Sequence, residues 1–163
     1  MPFANEREFE DAMIKALARH GWEDKTLENY SEDQLIANWA DILFENNRGI
    51  DRLDNYPLTS GEMNQILEQI TRLKTPKELN CFINGRSVAI VRDNEEDRAH
   101  FGKTVSLKIY DPNEIAAGQT RYQIARQPRF AAKSKMLNDR RGDLMLLING
   151  MPVFHIELKK NGL

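Results

Sequence analysis

Arg140-Arg141-Gly142-Asp143-Leu144-Met145-Leu146-Leu147-Ile148-Asn149-Gly150-Met151-Pro152-Val153-Phe154-His155-Ile156-Glu157-Leu158-Lys159-Lys160 is the stretch that decides how this chain is read. Two apolar runs flank Asn149-Gly150, a pair whose left-handed backbone preference makes it a strong hairpin signal. The first run opens on an acid, Asp143. The second closes on Glu157-Leu158-Lys159.

Side chains alternate along a strand, so period two sorts the second run. Phe154, Ile156 and Leu158 are expected in apolar packing, with Val153, His155, Glu157 and Lys159 on the other face. Cross-strand parity then imposes a condition. A plain two-residue turn pairs Ile148 with Met151, hence Asp143 with Ile156, and leaves Asp143 on the face opposite Glu157. One bulge, or a three-residue turn, restores them to one face. Gly150 tolerates a left-handed backbone, and Pro152 has no N–H to give a regular ladder. A bulged or odd-length hairpin is therefore expected.

Two carboxylates with a lysine two residues on suit phosphodiester chemistry. Asp143 and Glu157, with the backbone carbonyl of Leu158, make an all-oxygen ligand set for Mg²⁺, leaving room for water and phosphate. Such an ion activates water and polarises phosphate. Lys159 would position the water and offset charge developing on the phosphate. Gln127, entering from the preceding strand, would hydrogen-bond water or phosphate. His155 shares the site face, but a lone strand histidine reads as packing or hydrogen-bonded filler.

The remainder of the chain supports a soluble globular domain. Its 163 residues suffice for one real core, and 40% hydrophobic with 29% charged residues is ordinary for that class. No apolar run approaches a membrane span, and residues 1–20 are too charged for a signal peptide. The lone Cys81 excludes an internal disulfide framework and fits a cytoplasmic setting, as a buried and inert residue at the start of a strand. Charge is unevenly spread: residues 1–119 carry 14 Lys+Arg against 22 Asp+Glu, and residues 120–163 carry 9 against 3. Arg121, Arg126, Arg129, Lys133, Lys135, Arg140 and Arg141 lie close in sequence to the acids. Of these, Arg126, Arg129, Lys133, Lys135, Arg140 and Arg141 are the candidate footprint for a DNA phosphate backbone.

The first half reads as helices. Asn5 with Glu8, Ser31 with Gln34, and Thr59 with Glu62 are capping pairs. Behind them run stripes at helical spacing: Phe9, Met13, Ile14 and Leu17; Leu35, Ile36, Trp39, Ile42 and Leu43; Met63, Ile66, Leu67, Ile70 and Leu73. Gly21 stops the first helix near residue 20, and Thr75-Pro76 is read as closing the third. Period two then takes over, with strands expected at 79–83, 87–91, 105–109 and 120–127 before the terminal hairpin. Trp22, Tyr30, Trp39 and Phe44 are core candidates rather than base-stacking platforms. The fold class is α/β of an α+β-like kind: a helical part (1–76) on a mixed sheet from a strand-rich part (77–160), one domain over 1–163.

The block Arg141-Gly142-Asp143-Leu144…Ile148-Asn149-Gly150-Met151-Pro152-Val153…Ile156-Glu157-Leu158-Lys159 closely resembles that of the R (restriction) subunit of type I restriction enzymes, a variant of the PD-(D/E)xK nuclease motif. Gln127 matches the family's glutamine upstream of the block, and Glu6-x-x-Phe9-Glu10 with Gly21-Trp22 resembles the opening helix. The resemblance implies a restriction-endonuclease-like core, a Mg²⁺-dependent DNA endonuclease (Mn²⁺ substituting), and catalytic Asp143, Glu157 and Lys159. It also implies a helical acid joining the site: Glu6 or Glu10, with Glu10 as the supporting residue beside Gln127 and helix-cap electrostatics as the competing account. Gly142 replaces the motif's usual proline.

The implied partners are double-stranded DNA and the methylation and specificity subunits, with no membrane. No phosphate-binding Gly-Lys-Ser/Thr loop occurs, so ATP is expected only for motor domains of a longer parent, of which this chain would be a fragment. Two other readings stand beside the nuclease: a nuclease-fold DNA-binding or docking module with little activity alone, and an unrelated α+β domain in which Glu157 and Lys159 form a surface pair.

Overall fold

The computed structural model describes residues 5–49, 52–83, 87–110, 120–130 and 143–158. Four helices, α1 (Glu6–Ala18), α2 (Glu32–Asn46), α3 (Ser60–Thr71) and α4 (Pro76–Ile83), accompany six strands: β1 (Leu27–Glu28), β2 (Ser87–Val91), β3 (Thr104–Lys108), β4 (Tyr122–Arg126), β5 (Leu144–Ile148) and β6 (Met151–Ile156). The class is α+β, as expected. The strands form a four-stranded sheet ordered β1-β4-β5-β6 and a two-stranded sheet β2-β3. Within the first, β1 runs parallel to β4 and the other pairs are antiparallel, so it is mixed.

Three helix starts sit where their capping residues put them. The Asn5 side chain accepts from Glu8 N, Ser31 and Gln34 bond reciprocally, and Thr59 and Glu62 complete a capping box. The fourth helix corrects the strand expected at 79–83. Thr75 Oγ1 accepts from Glu78 N, and Glu78 answers to the backbone N–H groups of Lys74 and Thr75. Thr75 is thus a helix start with Pro76 at the first position, where a missing N–H costs nothing. Cys81 accordingly lies half-buried in α4, not buried in a strand. Asn84-Gly85, a second Asn-Gly pair that reads as a hairpin turn between the strands expected at 79–83 and 87–91, falls outside the described residues.

Two compact units divide the chain: Met1–Leu35 with Arg121–Leu163, and Ile36–Thr120. In the first, α1 covers one face of the sheet, where Ile14 packs with Ile124, Leu144 and Leu146, joined by Met13, Leu17, Trp22, Val153 and Ile156. Leu35, Ala125, Met145 and Leu147 form the opposite layer with Leu27, Tyr30 and Phe130. This double coverage explains why β5 is apolar on both faces. Trp22 and Tyr30 therefore pack in the core layers, and Trp39 is fully buried. Among the described residues, no helix is long and apolar enough to cross a membrane.

In the second unit, the core of β2 and β3 is pinned by a buried ionic cluster. Arg92 donates to Glu62 at 2.6 Å and to Asp97 at 2.9 Å, and its remaining N–H groups reach the carbonyls of Tyr56 and Pro57. All three side chains are at most 1% exposed. Burial pushes the Asp97 carboxyl up, yet hydrogen bonds from Arg92 and His100 outweigh it and hold the group below its ordinary value. Replacing Arg92 by methionine should therefore strand two carboxylates and cost about 3–5 kcal/mol in urea titration. Because the folded state favours ionised Asp97, its contribution is present above the ordinary carboxylate pKa of about 4 and lost as pH falls below it. Wild-type urea midpoints should fall across that window, and Arg92→Met should flatten the acid limb.

Candidate functional site

The β5–β6 hairpin turns through two residues, Asn149 (φ 50°) and Gly150 (φ 85°), with Ile148 paired to Met151. Taken alone, this turn carries the parity that would separate Asp143 from Glu157. The register then shifts: Leu147 pairs with Pro152 but Leu146 with Phe154, leaving Val153 as the extra residue of a β-bulge. Beyond the bulge the ladder closes with Leu144 paired to Ile156, one residue short of Asp143 and Glu157. The expected bulge is therefore present, inside β6 and not in the turn. Ile156 and Leu158 are packed as expected, but the bulge changes the facing beside it. Val153 packs with the α1 layer, whereas Phe154 is 61% exposed.

Asp143 is the first residue before β5, held by its backbone: its N–H donates to Ile156 O and its carbonyl accepts from Gln127 N. Its carboxylate takes a hydrogen bond from Leu158 N on Oδ2 at 2.6 Å, while Oδ1 lies 3.5 Å from Gln127 Nε2. Glu157 is exposed, one residue past β6. Lys159, Lys133, Lys135, Arg140 and Arg141 fall outside the described residues.

Gln127 follows β4 and has φ 48°, a left-handed backbone that costs a non-glycine residue on the order of 1–3 kcal/mol. Period two would put it with Ala125, on the face away from α1. Its amide nitrogen instead lies 2.5 Å from Glu10 Oε1 of α1. The left-handed turn reconciles the two, re-aiming the side chain while its N–H stays in the ladder.

Glu10 is 4% exposed, so it is a core residue of α1 and not a helix-cap charge. Its second oxygen accepts from Arg126 Nε at 2.7 Å, and Arg126 also donates to Asp11 at 2.7 Å. Burial of Arg126 disfavours its charge, but the bonds from Glu10 and Asp11 prevail and its pKa is raised. Its Nε and one of its two amino groups are thus committed to carboxylates, which clamps Arg126, a candidate for a phosphate contact, to α1. Arg121 is likewise engaged, with Glu23. Arg129 is exposed and donates its Nε to Asn29 O. Glu6 is exposed at the start of α1.

Glu10, Arg126 and Gln127 line a cleft of about 670 Å³ together with Asn5, Glu6, Arg7, Glu28 and Asn29. The Arg126 clamp was missed in the sequence, though a signal existed: Glu10 stands four residues before Ile14, inside the apolar stripe of α1. An acid in that stripe needs a cationic partner. Among the described residues, no three His, Cys, Asp or Glu side chains are grouped to hold a metal. Glu10 is buried with a donor on each oxygen, whereas Asp143 is only partly buried and Glu157 is exposed, so these two are the carboxylates a hard cation could share with water. Mg²⁺ ordinarily uses one or two carboxylates and keeps several waters, so this donor set fits it.

The fold and site thus define a class: an α+β domain in which a carboxylate of α1, Glu10, and one at the start of β5, Asp143, meet at the Gln127 amide. Residues 3–162 match the family model of the type I restriction enzyme R protein N terminus. The chain belongs to that family. It is 30% identical over its whole length to a type I restriction enzyme endonuclease subunit of Staphylococcus saprophyticus, and 28% identical to the corresponding subunits of Staphylococcus aureus strains MSSA476 and MW2. In each case it spans 16% of the relative's length.

The clamp sets a stability test. Arg126→Met leaves the buried Glu10 without its cationic partner, and should lower stability by about 3–5 kcal/mol. Asp11→Ala removes only a half-exposed partner and should cost about 1 kcal/mol or less. Equal losses in denaturant titration would contradict the clamp.

Proposed function

We propose that this chain is the DNA-cleaving part of a type I restriction R subunit, a Mg²⁺-dependent endonuclease with a restriction-endonuclease-like core. The observation that carries this is the β-bulge in β6, which breaks the parity of the two-residue turn, with the Asp143 carboxylate held between the Leu158 N–H and the Gln127 amide. Family membership supports it, since the similar Staphylococcus proteins are named endonuclease subunits. Double-stranded DNA is the proposed substrate, and methylation and specificity subunits the proposed partners of the parent enzyme.

In this reading Asp143 and Glu157 hold Mg²⁺, with the Leu158 carbonyl as a third oxygen. The ion supplies a Lewis acid for the phosphate and a more acidic water. The Leu158 N–H fixes Asp143 Oδ2, so the carboxylate is oriented before any ligand arrives. Lys159, two residues beyond Glu157, offsets charge that develops on the phosphate oxygens. Gln127 stands beside Asp143 to contact water or phosphate. Arg129, Lys133, Lys135, Arg140 and Arg141 are the proposed contacts to the DNA backbone, and ATP is a need of motor domains, not of this site.

Plasmid nicking with Mn²⁺ tests this for the isolated chain, and restriction of unmodified DNA tests it for the parent subunit. Lys159→Ala should reduce turnover by about 100-fold or more while leaving DNA affinity within roughly twofold. Asp143→Ala should abolish both cleavage and Mn²⁺ binding by calorimetry. Undiminished cleavage by the full-length Lys159→Ala subunit would refute the assignment. Intact DNA binding without cleavage in the wild type would favour a docking module.

A further inference from the structure

Building on the nuclease reading, we propose that Glu10 and Arg126 are positioning residues that orient the Gln127 carboxamide, so that its oxygen faces the cleft as a hydrogen-bond acceptor for water. Gln127 Nε2 lies 2.5 Å from Glu10 Oε1 and 3.5 Å from Asp143 Oδ1. Both neighbours are carboxylates, which accept and do not donate. An amide set between two acceptors must turn its NH₂ towards them, so its oxygen is directed elsewhere. Among the described residues, nothing donates to that oxygen. Gln127 is exposed and lines the cleft, so its free acceptor is presented there.

Arg126 makes the arrangement one-way. It occupies Glu10 Oε2 through Nε at 2.7 Å, leaving Oε1 alone for Gln127. With 12% of its side chain exposed and a second carboxylate at Asp11, the guanidinium holds Glu10 in place. The left-handed backbone at Gln127 brings the amide within reach of Glu10, and the buried ion pair compensates for its strain. An acceptor here suits a water being aimed at a phosphorus atom, whereas a donor would bind phosphate oxygen. Gln127 takes no proton in this role. It selects the orientation of the water's O–H bonds.

An isosteric substitution separates this role from simple packing. In Glu10→Gln the single amide oxygen at position 10 is claimed by Arg126, so its NH₂ meets Gln127. Gln127 must then flip, turning its oxygen inward and its NH₂ to the cleft. The expected result is a fall in kcat of roughly tenfold or more with KM for plasmid DNA unchanged. Gln127→Met, lacking the amide, should fall by a similar factor, and Glu10→Asp should be intermediate.

The readout independent of cleavage is the Gln127 side-chain NH₂ pair in a ¹⁵N–¹H spectrum of the metal-free chain. In the wild type it should be shifted from free-amide positions and protected from solvent exchange, and Glu10→Gln should abolish both. A wild-type NH₂ at free-amide positions would overturn the proposal, as would an undiminished kcat in Glu10→Gln. Loss of DNA affinity at constant kcat would also overturn it, by making the amide a phosphate donor. Lys159→Ala in the same nicking assay reports separately on the nuclease reading, since it leaves the Glu10–Gln127 contact in place.

Discussion

The constraint on which the site rests is parity. Every residue of β5 faces its partner in β6 at a fixed sum of positions, and a two-residue Asn149-Gly150 turn fixes that sum. The turn is demanded locally, because Asn149 and Gly150 both hold positive φ and match the twist of the flanking strands. Left uncorrected, it would oppose Asp143 to Ile156. One surplus residue, Val153, breaks the sum and resets it for everything beyond. The chain retains the tight turn and still breaks its parity, at the cost of one irregularity in the edge strand of the described sheet, where a bulge disturbs only one neighbour.

The bulge also explains what the outer strand exposes. Val153 packs with the α1 layer as the surplus residue, while Phe154, paired with Leu146, is left in solvent. The sequence showed that the parity had to be mended but not where, because a three-residue turn and a bulge at any of several positions satisfy it equally. Choosing among them needs the packing of α1 against the sheet, a long-range contact with no local signature.

That division between local and long-range recurs along the chain. Capping boxes at Asn5, Ser31 and Thr59 were legible because a side chain three residues away carries the whole signal. At Thr75-Pro76 the same chemistry was misread as an ending. Proline excludes a preceding turn of helix but favours a following one, and Glu78 was the discriminating residue. β1 was not anticipated at all. Two residues, Leu27 and Glu28, become a strand only through parallel pairing with Ala125 and Arg126, nearly a hundred positions away in sequence. At the site, the acids and Gln127 could be named from the hairpin motif, but the clamp on Glu10 required knowing that α1 lies over β4.

Glu10 shows how a costly placement acquires a use. A carboxylate in the apolar stripe of α1 would be expelled unless paired, and Arg126 supplies the pair from the adjacent strand. Hydrophobic side chains at both positions would stabilise the layer at least as well, so stability does not account for the ion pair. What an apolar pair cannot do is fix the direction of a neighbouring amide. A charged acceptor beside Gln127 imposes an orientation and tolerates a strained backbone to obtain it. The second unit contains a comparable cluster, Arg92 with Glu62 and Asp97, yet there the surplus hydrogen bonds end on the carbonyls of Tyr56 and Pro57. Its other contacts include the His100 ring on Asp97, within the same unit. The Glu10 cluster passes its polarity on to a group that faces the cleft, and this open end is what separates a site from a scaffold.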